Sequence, residues 1–444
     1  KVENLEYCTK IGDFTFYECK VLTDVEFNDK LTDIGDSSFF NCRELTTIDL
    51  KNVKNVGSSS FRKCLKIKSV TMKQVETLGQ FAFAEIQSLS TIELPSTLQS
   101  IESYCFTATA LETITGDVSG ITELETAFMG CKDLISIPIF NSIKIIGASA
   151  FKECNKLKRF ECGDQLESVW SNAFEGCRGL EEFNTTSKGY EISGEGFLNC
   201  LSLKSFNFDN VIALSNNAFE GCTSLKSVDF SRSRINELPW QLFCSCGSFD
   251  EVILPPNITN FCVLVFEECS INRIIFTSTG ENILDLTNSF EDFDVELQEA
   301  IFSPNCKVIL DSTFSNCVNL SHVVLPQTPF ELSGTFKSCS NLTKVENLEY
   351  CTKIGDFTFY ECGLIVSIQL GEQITEIGNS SFSGCNLLRT VSFGKSSNDT
   401  LRIGSSAFKS CQSLLSFNFT NWCSISIGES AFSGCPFSSQ TEIE

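Results

Sequence analysis

The chain is short of the groups on which most enzyme chemistry depends. Its 444 residues include one histidine, His322, so a catalytic triad, a dyad or a histidine-rich metal site would have to pass through that residue. Methionine (2), tryptophan (3) and proline (9) are also scarce. No run of about 18 apolar residues occurs, which excludes a membrane-spanning helix and direct membrane insertion, and no signal peptide opens the sequence. Basic residues number 33 against 56 acidic ones, a net charge of −23. Such a balance makes phosphate backbones and anionic membrane surfaces poor partners, so no nucleic-acid partner is expected.

Against these scarcities stand 40 Phe and 24 Cys. A bias of that kind points to one short motif used many times. The motif is Phe-x-x-Cys. Its Phe recurs nineteen times from Phe16 to Phe432 with a mean spacing of about 23 residues, and sixteen copies carry the Cys, the exceptions being Ile86, Thr109 and Phe293. Three residues after the Cys a second element follows, Leu-x-x-Ile-x-Leu, as in Leu45, Ile48 and Leu50. A third precedes the Phe, Ile-Gly-x-x-Ala-Phe, as in Ile146 to Phe151.

Each element has a physical task. In Leu-x-x-Ile-x-Leu the last two apolar residues lie two apart and face one side of a strand, while the residues flanking the central Ile face solvent. Strands from successive repeats can stack in parallel about 4.8 Å apart. The Gly of Ile-Gly suits a reversal of the chain, because Gly tolerates positive φ. Phe and Cys should then point inward as two columns, with each buried Phe contributing roughly 1.5–3 kcal/mol. One repeat cannot close its own core, so stability comes from neighbours in a one-dimensional array. This overrides the estimate of about three domains that length alone suggests: residues 1–444 read as a single β-rich solenoid with one parallel sheet, about nineteen repeats and little α-helix.

Two features interrupt the regularity. The pattern blurs between residues 277 and 310, where Glu291, Asp292, Asp294, Glu296 and Glu299 form an acidic run, and a surface insertion or kink is expected there. Residues 1–19 recur without change as residues 344–362. Stacking fixes only the apolar positions, so identity at exposed ones points to recent duplication. The chain also starts in mid-repeat without the polar cap a solenoid end needs, and so reads as a segment of a longer protein.

The Leu89 to Pro95 segment, together with Ala173, Phe174, Gly176 and Cys177 and with Ala431, Phe432, Gly434 and Cys435, resembles the BspA-like leucine-rich-repeat family. That family occurs on the surfaces of oral and gut bacteria and in anaerobic protists. The resemblance covers essentially the whole chain. It implies a recognition protein built of repeats, with a protein partner such as a host surface or matrix protein, since several members are adhesins. Location at the cell surface, or secretion, is implied in the same way. An intracellular scaffold with reduced cysteines is the alternative, and a repeat-scaffolded enzyme is disfavoured by the single histidine.

Other chemistry fails on inspection, and no cofactor is implied. The sixteen periodic cysteines read as a ladder of small buried residues; of the other eight, Cys8, Cys105, Cys162, Cys244, Cys262, Cys306, Cys351 and Cys423, some can pair. No Cys-x-x-Cys occurs, which removes zinc-ribbon and redox motifs. Gly394-Lys395-Ser396 lacks the earlier Gly of a phosphate loop, and Gly194-Glu195-Gly196 lacks a third Gly. The acidic run lacks the spacing and Gly of a calcium loop.

The solvent face of the strands is more informative. The residue after each central apolar position is mostly polar, but Ile253, Ile275, Ile301 and Val324 are consecutive apolar entries and should stack into a stripe. Beside it run Glu251, Arg273, Glu299, His322 and Lys344, largely alternating in charge. His322 is expected as an exposed member of that row. A charge-rimmed apolar stripe on an exposed sheet is what a protein-binding site looks like, unless an insertion near 277–310 covers it.

Overall fold

The computed structural model describes residues 5–259, 261, 263–278, 282–290, 296–394, 400–417, 422 and 424–436. The acidic residues 291, 292 and 294, Phe293, Cys262, Cys423, Lys395 and Ser396 lie outside them. The chain forms two compact units, one of residues 1–225 and 239–247 and one of residues 226–238 and 248–444.

Both units are parallel-strand solenoids. Among the described residues the only helical turns are short 3-10 turns at Val263–Phe266 and Leu348–Tyr350. The Leu-x-x-Ile-x-Leu segments supply one column of strands. In the first unit these include Thr91–Leu94 paired with Thr113–Gly116, and Arg159–Cys162 paired with Glu182–Thr185. In the second unit six of them form a continuous sheet from Ser227–Asp229 to Lys344–Glu346.

A second column runs beside the expected one. The Ile-Gly segments, read above as turns, form short parallel strands before the chain reverses. Lys10–Ile11, Asp33–Ile34, Asn55–Val56, Thr77–Leu78 and Ser100–Ile101 make one such sheet, and seven strands from Ile283–Asp285 to Ser424–Ile427 make another. The reason given for the Gly also needs correction. Among the described residues positive φ is found instead two before and two after the spine Phe residues, Leu264 before Phe266 excepted, for example at Ser37 and Asn41 about Phe39. The Ile-Gly glycine is required by close approach. A Cβ on Gly378 would lie 2.5 Å from the carbonyl carbon of Gly355 and 2.6 Å from the backbone nitrogen of Asp356, one coil earlier.

The inward columns follow the spacing, except that the ring stacked on Phe290 is Phe261 and not Phe266 of the repeated motif. In the first unit the rings from Phe16 to Phe243 stack in unbroken succession at 5.0–5.7 Å. In the second, Phe261 and the rings from Phe290 to Phe432 stack at 5.0–5.9 Å. Nearly all these rings are fully buried.

The cysteine column does more than fill space. Among the 22 described cysteines no disulfide bond is formed. Fourteen thiols donate to the carbonyl of the spine Phe one coil earlier, at 2.9–3.4 Å. That carbonyl already accepts the Cys backbone N–H of its own turn, as Phe39 does from Cys42. The thiol occupies its second lone pair across the coil boundary. Where Thr109 replaces Cys, its hydroxyl donates to Phe106 and lies 3.2 Å from the Cys131 thiol.

Candidate functional site

In the second unit the strands Ser227–Asp229, Glu251–Ile253, Arg273–Phe276, Glu299–Phe302, His322–Val324 and Lys344–Glu346 pair in parallel in that order. Their central residues Val252, Ile274, Ala300 and Val323 are fully buried. Period-two alternation therefore sends the flanking side chains to the open face.

The register places Asp229, Ile253, Ile275, Ile301, Val324 and Glu346 in one row. The four apolar members are half-buried, in contrast to the fully buried central residues of the same strands. They span three strand spacings, about 14 Å. The longer coil between strands Arg273–Phe276 and Glu299–Phe302 leaves this register intact: Ile275 pairs with Ile301.

The row alongside is an ionic chain. Arg273 lies 3.5 Å from Glu251 through Nη1 and 3.1 Å from Glu299 through Nε. His322 sits between two carboxylates, with Nδ1 2.8 Å from Glu299 and Nε2 2.9 Å from Glu346. Lys344 closes on Glu346 at 2.5 Å. The Glu346 carboxyl is held below its ordinary range, first by the Lys344 ammonium and then by His322. His322 is on the sheet face as expected, but it is half-buried rather than standing free. Both its ring nitrogens face carboxylate oxygens. The row fixes its own side chains in place and leaves the apolar stripe bordered by charge on one side.

The motifs set aside above have structural explanations where they are described. Glu195 of Gly194-Glu195-Gly196 is a left-handed turn residue before Phe197. Of the acidic run, Glu296 is exposed and Glu299 belongs to the ionic row.

A second concavity, in the first unit, escaped the repeat pattern. Between strands Thr113–Gly116 and Arg159–Cys162 the coil carries Pro138 where a strand would run, and only isolated bridges, Thr113 to Ser136 and Phe140 to Cys162, remain. The bridges are out of phase by one residue. Phe140 therefore takes the core position and stacks on Phe160 at 6.0 Å, while Ile139 is pushed out to 52% exposure. The result is a cleft of about 510 Å³ with Ile135, Pro138 and Ile139 on one wall and Arg159, Glu161 and Glu182 on another. A proline inside a strand pattern is the signal that would have found it.

The repeat geometry is matched by a family model described as the BspA type leucine rich repeat region, over residues 9–126, 122–246, 179–292, 213–333 and 307–439. The chain belongs to the BspA-type leucine-rich-repeat family. Among solved structures it is similar to a leucine-rich repeat protein from Bacteroides ovatus, at 20% identity over 92% of this chain and 81% of that one, with a TM-score of 0.32. It is also similar to a leucine rich cell surface protein from Faecalibacterium prausnitzii, at 19% identity over 87% and 83%, TM-score 0.26. A third similar structure is the Toll–Spatzle complex of Drosophila, at 17% identity over 84% and 47%, TM-score 0.35. Comparison with curated proteins finds no match. The BspA-type solenoid is a protein-interaction fold, and in the described residues no helix is long and apolar enough to cross a membrane.

Proposed function

We propose that this BspA-type solenoid is a non-enzymatic recognition protein displayed at the cell surface, where it binds a protein partner such as a host surface or matrix protein. The partner rests on the sheet face of the second unit. Ile253, Ile275, Ile301 and Val324 supply the apolar contact, and Glu251, Arg273, Glu299 and His322 supply the charged border. The observation that carries this reading is the register, which lines up four apolar side chains on an open face where other coils place polar ones. Membership of a family with adhesive members supports the surface location. An apolar centre bordered by charge gives affinity from the centre and specificity from the border.

The test is quantitative binding to a panel of immobilised matrix and host-surface glycoproteins. Ile275→Asp with Ile301→Asp is expected to weaken capture at least tenfold, about 1.4 kcal/mol, with the circular-dichroism melt retained. Ile275→Thr with Ile301→Thr provides a gentler second variant, since Thr71 and Thr115 occupy the same column in other coils. Binding that survives both variants sinks the assignment of the face.

A further inference from the structure

The cleft beside Pro138 is bordered by main chain that has lost its ladder partners. In the flanking coils one carbonyl accepts two N–H groups of the next coil: Glu112 from Ile135 and Ser136 at 2.8 and 3.2 Å, and Lys158 from Glu181 and Glu182 at 2.8 and 3.3 Å. In the coil between them the same place belongs to the Ile135 carbonyl, which accepts from neither Lys158 nor Arg159. Strand Arg159–Cys162 pairs with Glu182–Thr185 along one edge. Along the other it is held only at its downstream end, where the Glu161 carbonyl accepts from Phe140 and Gly163 donates to Phe140, both at 3.3 Å. In a strand the N–H and C=O of one residue point to the same edge, as do those two residues away. The Glu161 carbonyl thereby fixes the aim of the Glu161 N–H and of both main-chain groups of Arg159, towards the coil that carries Pro138. None of these three makes a main-chain hydrogen bond among the described residues, and neither does the N–H or the C=O of Ile137.

The cause is one extra residue. Strands Thr91–Leu94 and Arg159–Cys162 place their core residues two apart, Ile92 and Leu94, Phe160 and Cys162. Here Ile137 and Phe140 take those places three apart, which makes a bulge. Pro138 also has no N–H to return to the Ile114 carbonyl. The opening is lined by aliphatic groups, Ile135 at 46% exposure and Ile139 at 52%. Its carboxylates are already matched, since Arg159 lies 2.9 Å from Glu182 and 3.8 Å from Glu161, and Lys204 lies 2.5 Å from Glu181. The strand column is also interrupted between Ser69–Thr71 and Thr91–Leu94. There Val70 and Ile92 keep the core phase, and the outward Thr71 and Glu93 are polar, so that gap offers no apolar side chain to a ligand.

What the cleft leaves unmatched is main chain and aliphatic surface together. An unpaired strand edge is satisfied by the main chain of another extended segment, whose alternate side chains face one way. We propose that this cleft, separate from the sheet face of the second unit, takes an extended protein segment by strand addition. The segment pairs its main chain with Arg159 and Glu161. It turns every second side chain, a β-branched aliphatic one, onto Ile135 and Ile139. The cleft volume of about 510 Å³ and the open stretch of edge suit about four residues at about 3.3 Å each. Main-chain pairing sets the affinity, and the aliphatic wall selects the side chains of the bound segment.

The experiment uses the full chain and a fluorescein-labelled, end-capped hexapeptide alternating Val with Thr, beside two counterparts methylated on its odd or its even main-chain nitrogens. Expected is saturable binding of the parent peptide with a Kd below about 1 mM, and a tenfold or greater loss in one of the methylated forms. Hydrogen exchange read by mass spectrometry should find residues 158–162 of the free protein less protected than residues 273–276, a strand paired on both edges. Adding the peptide should slow exchange in 158–162. One variant closes the cleft: Pro138→Thr with Ile139 deleted restores the two-residue spacing and the missing N–H. It should protect residues 158–162 without peptide and bind the peptide at least tenfold more weakly. Equal protection of the two segments in the free protein, no binding up to about 1 mM, or undiminished binding by the closed variant overturns the proposal. Undiminished binding of both methylated peptides overturns it in favour of apolar adhesion alone.

Discussion

Cys200 is fully buried, and its thiol donates to the Phe174 carbonyl at 3.3 Å. A cysteine in this column is therefore both a small apolar filler and the donor that completes a buried carbonyl. Cys200→Ala removes both roles. It should cost about 1–2 kcal/mol, the sum of a small cavity and the loss of one of the two hydrogen bonds that the Phe174 carbonyl accepts, read from urea denaturation. Cys200→Thr should cost less than about 1 kcal/mol, because Thr109 already occupies the position in another coil with its hydroxyl satisfied. If the Ala variant is as stable as wild type, the carbonyl has no need of the thiol. The inward position of these cysteines was legible in the sequence, since periodicity reports stacking directly. Their donor role was not, because it depends on which carbonyl lies one coil away.

At the scale of the element, two kinds of glycine obey different constraints. Gly378 follows a strand of the second column and faces backbone one coil earlier at 2.5–2.6 Å from where a Cβ would sit. Gly384 occupies a left-handed turn position, φ 82°, with its nearest would-be contact at 3.4 Å. Gly378→Ala forces two coils apart and should cost about 3 kcal/mol. Gly384→Ala meets only the left-handed penalty of about 1 kcal/mol, one that Glu361 and Ser410 already bear at equivalent turns. Chemical denaturation of the two variants decides this, and equal losses would refute the distinction. These cases also show where the sequence stops speaking. The phase of the Leu-x-x-Ile-x-Leu strands, and with it the row from Ile253 to Val324, could be read because alternation and period agree at every repeat. The second strand column could not, because two-residue strands such as Asp33–Ile34 offer no alternation to read. The left-handed turn positions were hidden by occupants such as Ser, Glu and Phe that do not announce positive φ. Pro138 stood in the column in plain sight, yet the one-residue slip that turns Ile139 outward follows from bridging, not from composition.

At the scale of the whole molecule the thiol column makes stability depend on alkalinity. Nineteen of the 22 described cysteines are buried. Burial raises Cys131 and Cys162 from an ordinary 9.0 to about 11, Cys42 and Cys222 to about 12, and Cys154 and Cys200 well above the ordinary value. These groups are acids whose folded pKa is raised. Below about pH 9 folded and unfolded states both carry the proton, and stability is unaffected. Above it the unfolded chain loses protons that the folded chain keeps, so stability falls as pH rises, by up to about 1.4 kcal/mol per thiol per pH unit. Several thiols acting together exceed the usual net stability of about 5–15 kcal/mol within one or two pH units, and each thiolate adds to an existing charge of −23. The melting temperature should therefore be flat from pH 7 to 8.5 and fall steeply from about pH 9, with unfolding near pH 10–11. Ellman's reagent should find few reactive thiols in the native protein at pH 7.5 and nearly all of them after denaturation. Replacing a run of column cysteines by Thr should flatten the alkaline limb, which separates thiol ionisation from general repulsion. A melting temperature at pH 10.5 equal to that at pH 8 would mean that the thiols titrate alike in both states, and that the buried hydrogen-bonded ladder does not persist in solution.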